Sequence, residues 1–183
     1  NRPMTYSDTT LLNGRPGWYH TFNFDLVPKT ELLDACAGLW KSETGVSFAV
    51  NGKGQNSVFT SLYNPFHASE TINVNEAGSK IYFLVAMSTN QNQSWVENAR
   101  ITVYLSDGTR RELSLIPPDN MDDWMGINQV ESYVQNGRIE KFGSNCHGNL
   151  LDIDLGGNVY ITSVTLETVA NEVLTGILGI TVL

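Results

Sequence analysis

The chain has 183 residues, 41% of them hydrophobic, with a formal net charge of −8 and a pI near 4.7. This length and apolar content fit one domain with a two-layer core that needs neither disulfides nor metals. The net negative charge repels nucleic acid and anionic membranes, so neither is an expected partner. No apolar run reaches the roughly 20 residues of a membrane-spanning helix, so membrane insertion is not expected.

The N-terminal residues are polar and end in turn-forming sequences. The pairs NG and RPG within the first 17 residues favour a turn, so we interpret residues 1–17 as an arm and residues 18–183 as a single domain. The chain opens at Asn1 without a basic region followed by an apolar one. We therefore expect any export signal to have been removed already or never to have belonged to this chain.

Residues 18–40 are predicted to form one aromatic strand and one short helix. The stretch WYHTFNFDL partly alternates aromatic and polar residues, which favours a strand that ends at Pro28. Thr30 is a suitable N-cap for TELLDACAGLW, the only predicted helix, whose apolar residues on one side are Leu32, Cys36 and Leu39.

Short strands follow on both sides of a turn. Residues 46–50 and 58–62 have strand character, and the sequence NGKG between them predicts that they form a hairpin. A brief strand that contains Ile72 and Val74 is predicted next, ending before the sequence EAG.

The middle of the chain carries the clearest strand pattern. Residues 81–87 form a continuous apolar run, and residues 101–105 alternate apolar and polar side chains with a period of two. A two-residue DG turn after this strand would place apolar residues opposite polar ones. A three-residue SDG turn, with Gly108 in the left-handed region, restores the match and pairs Ile101 with Leu113.

The C-terminal part predicts three more strands. Two consecutive prolines end the central strands and begin a long acidic excursion. A strand over residues 150–155 ends at a GGN turn, and another strand contains residues 164–166. The last run, VLTGILGITVL, is apolar on both faces, which predicts a central strand with Gly176 and Gly179 where neighbours crowd it.

The pattern of these elements predicts the fold class. About ten short strands separated by turn signals, with almost no helix, indicate an all-β protein. The expected architecture is a β-sandwich of jelly-roll type with one short helix.

Cys36 and Cys146 are the only cysteines. A bridge between them would close a loop of about 110 residues and stabilise the fold by roughly 4 to 5 kcal/mol. Two separately buried thiols are the other interpretation. Neither the cysteine spacing nor the histidine positions indicate a metal site.

Three stretches resemble a known kind of module. KIYFLVAMSTN, ENARITVYLSDGT and LDIDLGGNVYITSVTLETVANEVLTGILGITVL are similar to the C-terminal galactose-binding-like β-sandwich modules of uncharacterised, secreted glycoside hydrolases of gut bacteria. The similarity covers roughly residues 57–183 and includes no catalytic motif. It implies a secreted, periplasmic or cell-surface protein of bacterial origin, and a module rather than a whole enzyme.

The loop STNQNQSWVEN is the first candidate site. Sugars stack on aromatic faces while amides and carboxylates hydrogen-bond to their hydroxyls, so Trp95, Asn92, Gln93 and Glu97 are the first candidate residues. The other interpretation is that Trp95 caps one end of the sandwich and the amides bind loop backbone.

Two further tryptophans form a second group. Trp18 follows a Pro-Gly turn, and Trp124 lies near carboxylates that could bind sugar or a structural calcium ion, namely Asp119, Asp122 and Asp123. These acids lack the spacing and glycine of a calcium loop, so solvated acids around a packed Trp124 are the favoured interpretation. No cofactor is expected apart from this calcium option.

The leading hypothesis is a non-catalytic accessory module whose partner is carbohydrate or an adjoining catalytic domain. The alternative is a small glycoside hydrolase or lyase, which needs two facing carboxylates in a cleft. Candidates for that pair are Glu97, Glu112, Glu131 and Glu140, but no catalytic motif supports them.

Overall fold

A computed structural model describes residues 32, 35–36, 38–50, 57–62, 66–89, 91–124, 134–143 and 146–183. Over these residues the protein is all-β and sandwich-like, apart from the helical residues Leu32 and Ala35 and one 3₁₀ turn at Gln91–Gln93. The strands are β1 (Leu39–Lys41), β2 (Ser47–Ala49), β3 (Val58–Ser61), β4 (Ser69–Ser88), β5 (Ala99–Leu105), β6 (Arg110–Leu115), β7 (Arg138–Lys141), β8 (His147–Thr168) and β9 (Leu174–Val182).

The strands form two antiparallel sheets. β1 and β2 make a small two-stranded sheet. The other seven strands form one sheet in the order β3-β9-β4-β8-β5-β6, with β7 beside β8. Each strand of the large sheet pairs antiparallel with its neighbours.

The large sheet curls because its two longest strands bend. β4 and β8 pair along nearly their whole length, but the register shifts twice along β4, between Asn73 and Glu76 and again between Gly78 and Lys80. On β8 the bend contains Gly156 and Gly157, both at positive φ, where glycine avoids a steric penalty. On one side of these bends, residues 81–88 of β4 pair with β9. On the other side, residues 161–168 of β8 pair with β5, so β4 and β8 run through both layers.

Two cores stabilise this arrangement. Successive residues on the second half of β4 point to opposite faces, so that half is buried on both sides. The inner core lies between the two layers and includes Ile81, Phe83, Val85, Met87, Ile101, Val103, Ile161, Val164 and Leu166. The second core lies beneath the β1–β2 sheet and includes Phe48, Phe59, Leu84, Ala86, Trp124, Phe142, Cys146, Leu150, Leu174 and Leu178.

The predicted central hairpin is confirmed. Ile101 pairs with Leu113, and residues 106–108 connect β5 to β6. Gly108 has a φ of 85°, which is the left-handed conformation predicted for the three-residue turn. The matching of apolar faces across the pair therefore sets the length of the turn.

The predicted central position of the last strand is also confirmed. β9 lies between β3 and β4, and its first five residues are buried. A Cβ atom on Gly176 would overlap the ring of Phe59, and one on Gly179 would lie 3.0 Å from the Phe48 ring. Both glycines therefore make room for aromatic rings of the second core.

The predicted hairpin of residues 46–50 with 58–62 is wrong. β2 pairs with β1, whereas β3 pairs with β9 at the far end of the sequence. The turn-forming NGKG sequence between them lies outside the described residues. The physical reason is that Phe48 and Phe59 each fill space left by a glycine of β9.

The predicted helix extends too far, and two strands were predicted too short. Leu39 and Trp40 belong to β1, and Leu32 and Leu39 are exposed rather than on a buried side. Trp40 is partly buried and packs edge-to-face against Phe142, with ring centroids 5.9 Å apart. The brief strands predicted around residues 72–74, 150–155 and 164–166 are parts of β4 and β8, because bulges and glycines bend these strands without ending them.

The remaining expectations concern the cysteines and the N-terminal segment. Cys36 and Cys146 are not joined by a disulfide, and both contribute to the second core. The predicted arm of residues 1–17 and the aromatic strand of residues 18–26 lie outside the described residues. In the part of the chain that the structure describes, no helix is long and apolar enough to cross a membrane.

Candidate functional site

The loop between β4 and β5 is held by the side chain of Asn98. This residue is fully buried at the start of β5. Its amide nitrogen donates to the carbonyl oxygens of Gln93 and Val96, at 2.8 and 2.9 Å. Its amide oxygen accepts a 2.7 Å hydrogen bond from the hydroxyl of Thr89, which directly follows β4. One buried amide therefore ties together both ends of the loop and its interior.

The backbone of Asn98 connects the same loop to two other parts of the fold. Its N–H donates to the carbonyl oxygen of Leu115 at the end of β6. Its carbonyl oxygen accepts from the N–H groups of Val169 and Ala170, in the loop between β8 and β9. These contacts fix the position of the β4–β5 loop relative to the neighbouring strands.

Trp95 extends from this loop into solvent. Its relative exposure is 64%, the highest of the large hydrophobic residues in the described ranges. Its φ is 63°, which costs a non-glycine residue roughly 1 to 2 kcal/mol. Its N–H donates to the carbonyl oxygen of Pro117, which holds the backbone in this conformation. The fold thus maintains a strained backbone at an exposed aromatic residue.

Glu97 is the charged group nearest to Trp95 in the loop. Arg100 donates two hydrogen bonds to its carboxylate, at 2.8 and 2.6 Å, and the Ser114 hydroxyl donates a third at 2.7 Å. The Arg100 guanidinium is the main cause that lowers the pKa of Glu97 below its ordinary value, and the Ser114 bond adds to this. Glu97 is therefore a carboxylate at neutral pH and keeps a fixed orientation.

The structure brings four of the six candidate residues together. Asn92, Gln93, Trp95 and Glu97 all lie in the β4–β5 loop, and the side chain of Asn92 is exposed. Trp124 is separate from them, since it is only 3% exposed and packs in the second core. Its ring is therefore not available to stack on a ligand at the surface. Trp18 lies outside the described residues.

The acidic residues near Trp124 are not the solvated group that the sequence predicts. Asp122 is buried, and its carboxylate lies 2.6 Å from Nε2 of His147. Asp123 accepts a hydrogen bond from the backbone N–H of Thr89, so it supports the β4–β5 loop from below. Within the described ranges, no three His, Cys, Asp or Glu side chains are grouped so that they could hold a metal ion.

The four glutamates considered for catalysis have separate environments. Glu97 binds Arg100, and Glu112 pairs with Arg110 at 2.9 Å. Glu140 is buried on the side of the second core, where it accepts a hydrogen bond from the backbone N–H of Glu43. Glu131 lies outside the described residues. Glu97 and Glu112 are thus neutralised by arginines, and Glu140 is on a different face of the sheet.

The chain was compared with known protein families, curated proteins and solved structures. No protein-family model, curated protein or solved structure matches the chain. Function therefore has to be inferred from the chemistry of the β4–β5 loop and its surroundings.

Proposed function

We propose that this chain is a non-catalytic carbohydrate-binding module, an accessory to a secreted carbohydrate-active enzyme, and that it binds glycan by stacking a sugar ring on Trp95. One observation carries the proposal: a 64% exposed tryptophan at positive φ in a loop held by a fully buried asparagine. Strained backbone at an exposed aromatic group is typical of binding sites, where the surrounding structure maintains it for function.

The groups around Trp95 suit a sugar ligand. An indole ring offers a flat apolar face to the C–H groups of a pyranose. Asn92 is an exposed residue whose amide group contains both donors and an acceptor, and the Glu97 carboxylate accepts only. Because the loop is already fixed by Asn98, binding would cost little conformational entropy.

An adjoining catalytic domain is the second candidate partner. Val96 and Val169 are 47% and 37% exposed, and the loops that contain them both bond to Asn98. With Trp95, two loops that share Asn98 as a partner thus carry three exposed apolar side chains, and exposed apolar side chains are a feature of surfaces that pack against another domain.

Isothermal titration separates the two candidates. The probes are soluble polysaccharides and their oligosaccharides, titrated into the wild-type chain, Trp95→Ala and the control Leu39→Ala. Leu39 is 59% exposed on β1, in the other sheet, so its removal takes away similar apolar area far from the loop. We expect Trp95→Ala to abolish measurable heat while Leu39→Ala binds normally. Equal binding by the Trp95→Ala variant, or no heat with any glycan, would reject the glycan-binding proposal and favour domain packing.

A further inference from the structure

Among the described residues, the sheet surface next to the β4–β5 loop contributes to neither hydrophobic core. Ile101, Val103 and Leu105 of β5 point into the inner core, so the alternate residues point the other way. We call this surface the outer face, meaning the side of β4, β5, β6 and β8 that carries Arg100 and Tyr104. It begins directly below Glu97, whose carboxylate bonds to Arg100.

The strand register fills the outer face with hydrogen-bonding side chains. Arg100 lies between Ser114 of β6 and Glu167 of β8. On the same face, Thr71 of β4 and Thr165 of β8 share a hydrogen bond of 2.9 Å between their hydroxyls. Hydroxyl, carboxylate and guanidinium groups thus cover the middle of the face.

Two exposed tyrosines lie at the far end of the outer face from Trp95. Tyr104 is 38% exposed and Tyr160 is 44% exposed. The N–H of Ser106 donates to the carbonyl oxygen of Tyr160, and Ser106 comes two residues after Tyr104. The tyrosines are therefore diagonal neighbours on adjacent strands, with Cα atoms on the order of 8 Å apart.

The distance from the loop to the tyrosines is several sugar units rather than one. A strand rises about 3.3 Å per residue, so Arg100 and Tyr104 are separated by roughly 13 Å, and the loop that contains Trp95 leads into the Arg100 end of β5. A single terminal sugar would occupy only the Trp95 end. A chain that lies along β5 would contact aromatic rings at both ends and polar groups between them.

Two ion pairs lie on the outer face. Arg100 pairs with Glu97 at 2.6 Å, and Arg110 pairs with Glu112 at 2.9 Å. The whole chain has a formal net charge of −8, so it repels polyanions. These observations favour an occupant that is uncharged and rich in hydroxyl groups.

From this arrangement we infer that the ligand is a linear, uncharged polysaccharide that lies along β5, from Trp95 at one end to Tyr104 and Tyr160 at the other. The inference rests on the proposed function and specifies its ligand class. Trp95 is then the first stacking site for the polysaccharide, and the two tyrosines form the second.

The test compares ligands of different length on four proteins. Soluble β-1,4-galactan, β-1,4-mannan, β-1,3-glucan and α-1,4-glucan, each with its trisaccharide and hexasaccharide, are titrated into wild type, Trp95→Ala, Tyr104→Ala/Tyr160→Ala and Leu39→Ala. We expect wild type to bind the hexasaccharide of at least one series more tightly than its trisaccharide. The double tyrosine variant should lose about tenfold or more in hexasaccharide affinity, because it removes both rings of the second stacking site. Its trisaccharide affinity and its melting temperature should match those of wild type.

The outcomes separate the two proposals. In one outcome, Trp95→Ala abolishes binding while the affinity of wild type depends neither on oligosaccharide length nor on the two tyrosines. That result supports the glycan-binding module and overturns the inference of a polysaccharide that lies along β5. Polygalacturonate, an anionic polymer, is titrated as well, and tighter binding of it than of the uncharged polymers also overturns this inference. If no glycan binds to wild type, both proposals are rejected.

Discussion

The hydroxyl of Thr89 donates a 2.7 Å hydrogen bond to the amide oxygen of Asn98, and this contact joins the end of β4 to the start of β5. Both side chains are buried, at 5% and 0% exposure. In a buried setting an unpaired amide or hydroxyl is costly, so the pair is strongly favoured once the loop closes. The conformation of the Trp95 loop is therefore determined beneath the surface.

Asn98→Ala should destabilise the fold by about 2 to 4 kcal/mol, because it leaves the Gln93 and Val96 carbonyl oxygens and the Thr89 hydroxyl without their partner. Urea unfolding measures the loss. As a control, Asn171→Ala changes an exposed asparagine and should alter stability by less than about 0.5 kcal/mol. Equal stability of the two variants would show that the amide does not hold the loop.

Part of this site could be predicted from the sequence. A tryptophan among amides and a glutamate, directly after an apolar strand, identified Asn92, Gln93, Trp95 and Glu97 as one loop. The role of Asn98 could not be found in the same way, because its partners Val169 and Ala170 are more than 70 residues away in sequence. Their approach depends on how β5 pairs with β8.

The segment around Trp124 shows the same limit. The favoured packed position of Trp124 is confirmed, whereas the burial of Asp122 was not predicted. The backbone N–H of Trp124 donates to the carbonyl oxygen of Met87, and the Trp124 carbonyl oxygen accepts from the N–H of His147. Those two backbone contacts place the segment between β4 and β8 and turn the indole into the second core. No local pattern in the sequence reports such contacts.

Trp95→Gly should be more stable than Trp95→Ala by about 1 kcal/mol, because only glycine adopts a φ of 63° without steric cost. Thermal unfolding of the two variants measures the difference, which is independent of any ligand. Alanine proving the more stable of the two would mean that the backbone at this position is not strained.

The fold shows which physical information is local. Period-two alternation correctly indicated β5, β6 and their three-residue turn, because facing residues must share a side. The pairing of β3 with β9 was not predicted, since their Phe59 and Gly176 are brought together by packing across 117 positions of the sequence. Turn residues such as Gly156 and Gly157 can either end a strand or bend it. Which of the two occurs depends on whether the neighbouring strand continues to pair beyond them.

Gly176→Ala should destabilise the protein by about 1 to 3 kcal/mol, because its methyl group would overlap the Phe59 ring in the second core. The smaller side chain of a Phe59→Leu background should reduce that cost. A double-mutant cycle with urea unfolding gives the coupling between the two positions. Strict additivity would indicate that the ring does not limit position 176.

Glu140→Gln should stabilise the protein at pH 7 and lose this advantage as the pH falls through the raised pKa of Glu140 toward 4.5, the ordinary pKa of the side chain. Burial raises the pKa of Glu140 in the folded state, and the nearby Glu43 charge adds to this, although the Glu43 backbone N–H and Arg138 oppose it. Above pH 4.5 the unfolded chain releases its proton first, so stability decreases with rising pH until the raised pKa is passed. Urea midpoints at several pH values measure the effect.

Glu97→Gln should change the stability in the opposite direction when it is measured in the same way. Arg100 lowers the pKa of Glu97, so its contribution to stability is present above pH 4.5 and is lost as the pH falls further. This variant should be less stable than wild type at pH 7 and approach it in acid. The same sign of effect for both glutamates would contradict the assignment of their environments.

The shared strands have a mechanical consequence. Because β4 and β8 belong to both layers, the layers cannot slide past each other without straightening the bends at residues 73–80 and 156–157. A pull applied at the β4–β5 loop is therefore transmitted along the continuous backbone of β4 through both layers. The two layers then resist shear as one piece.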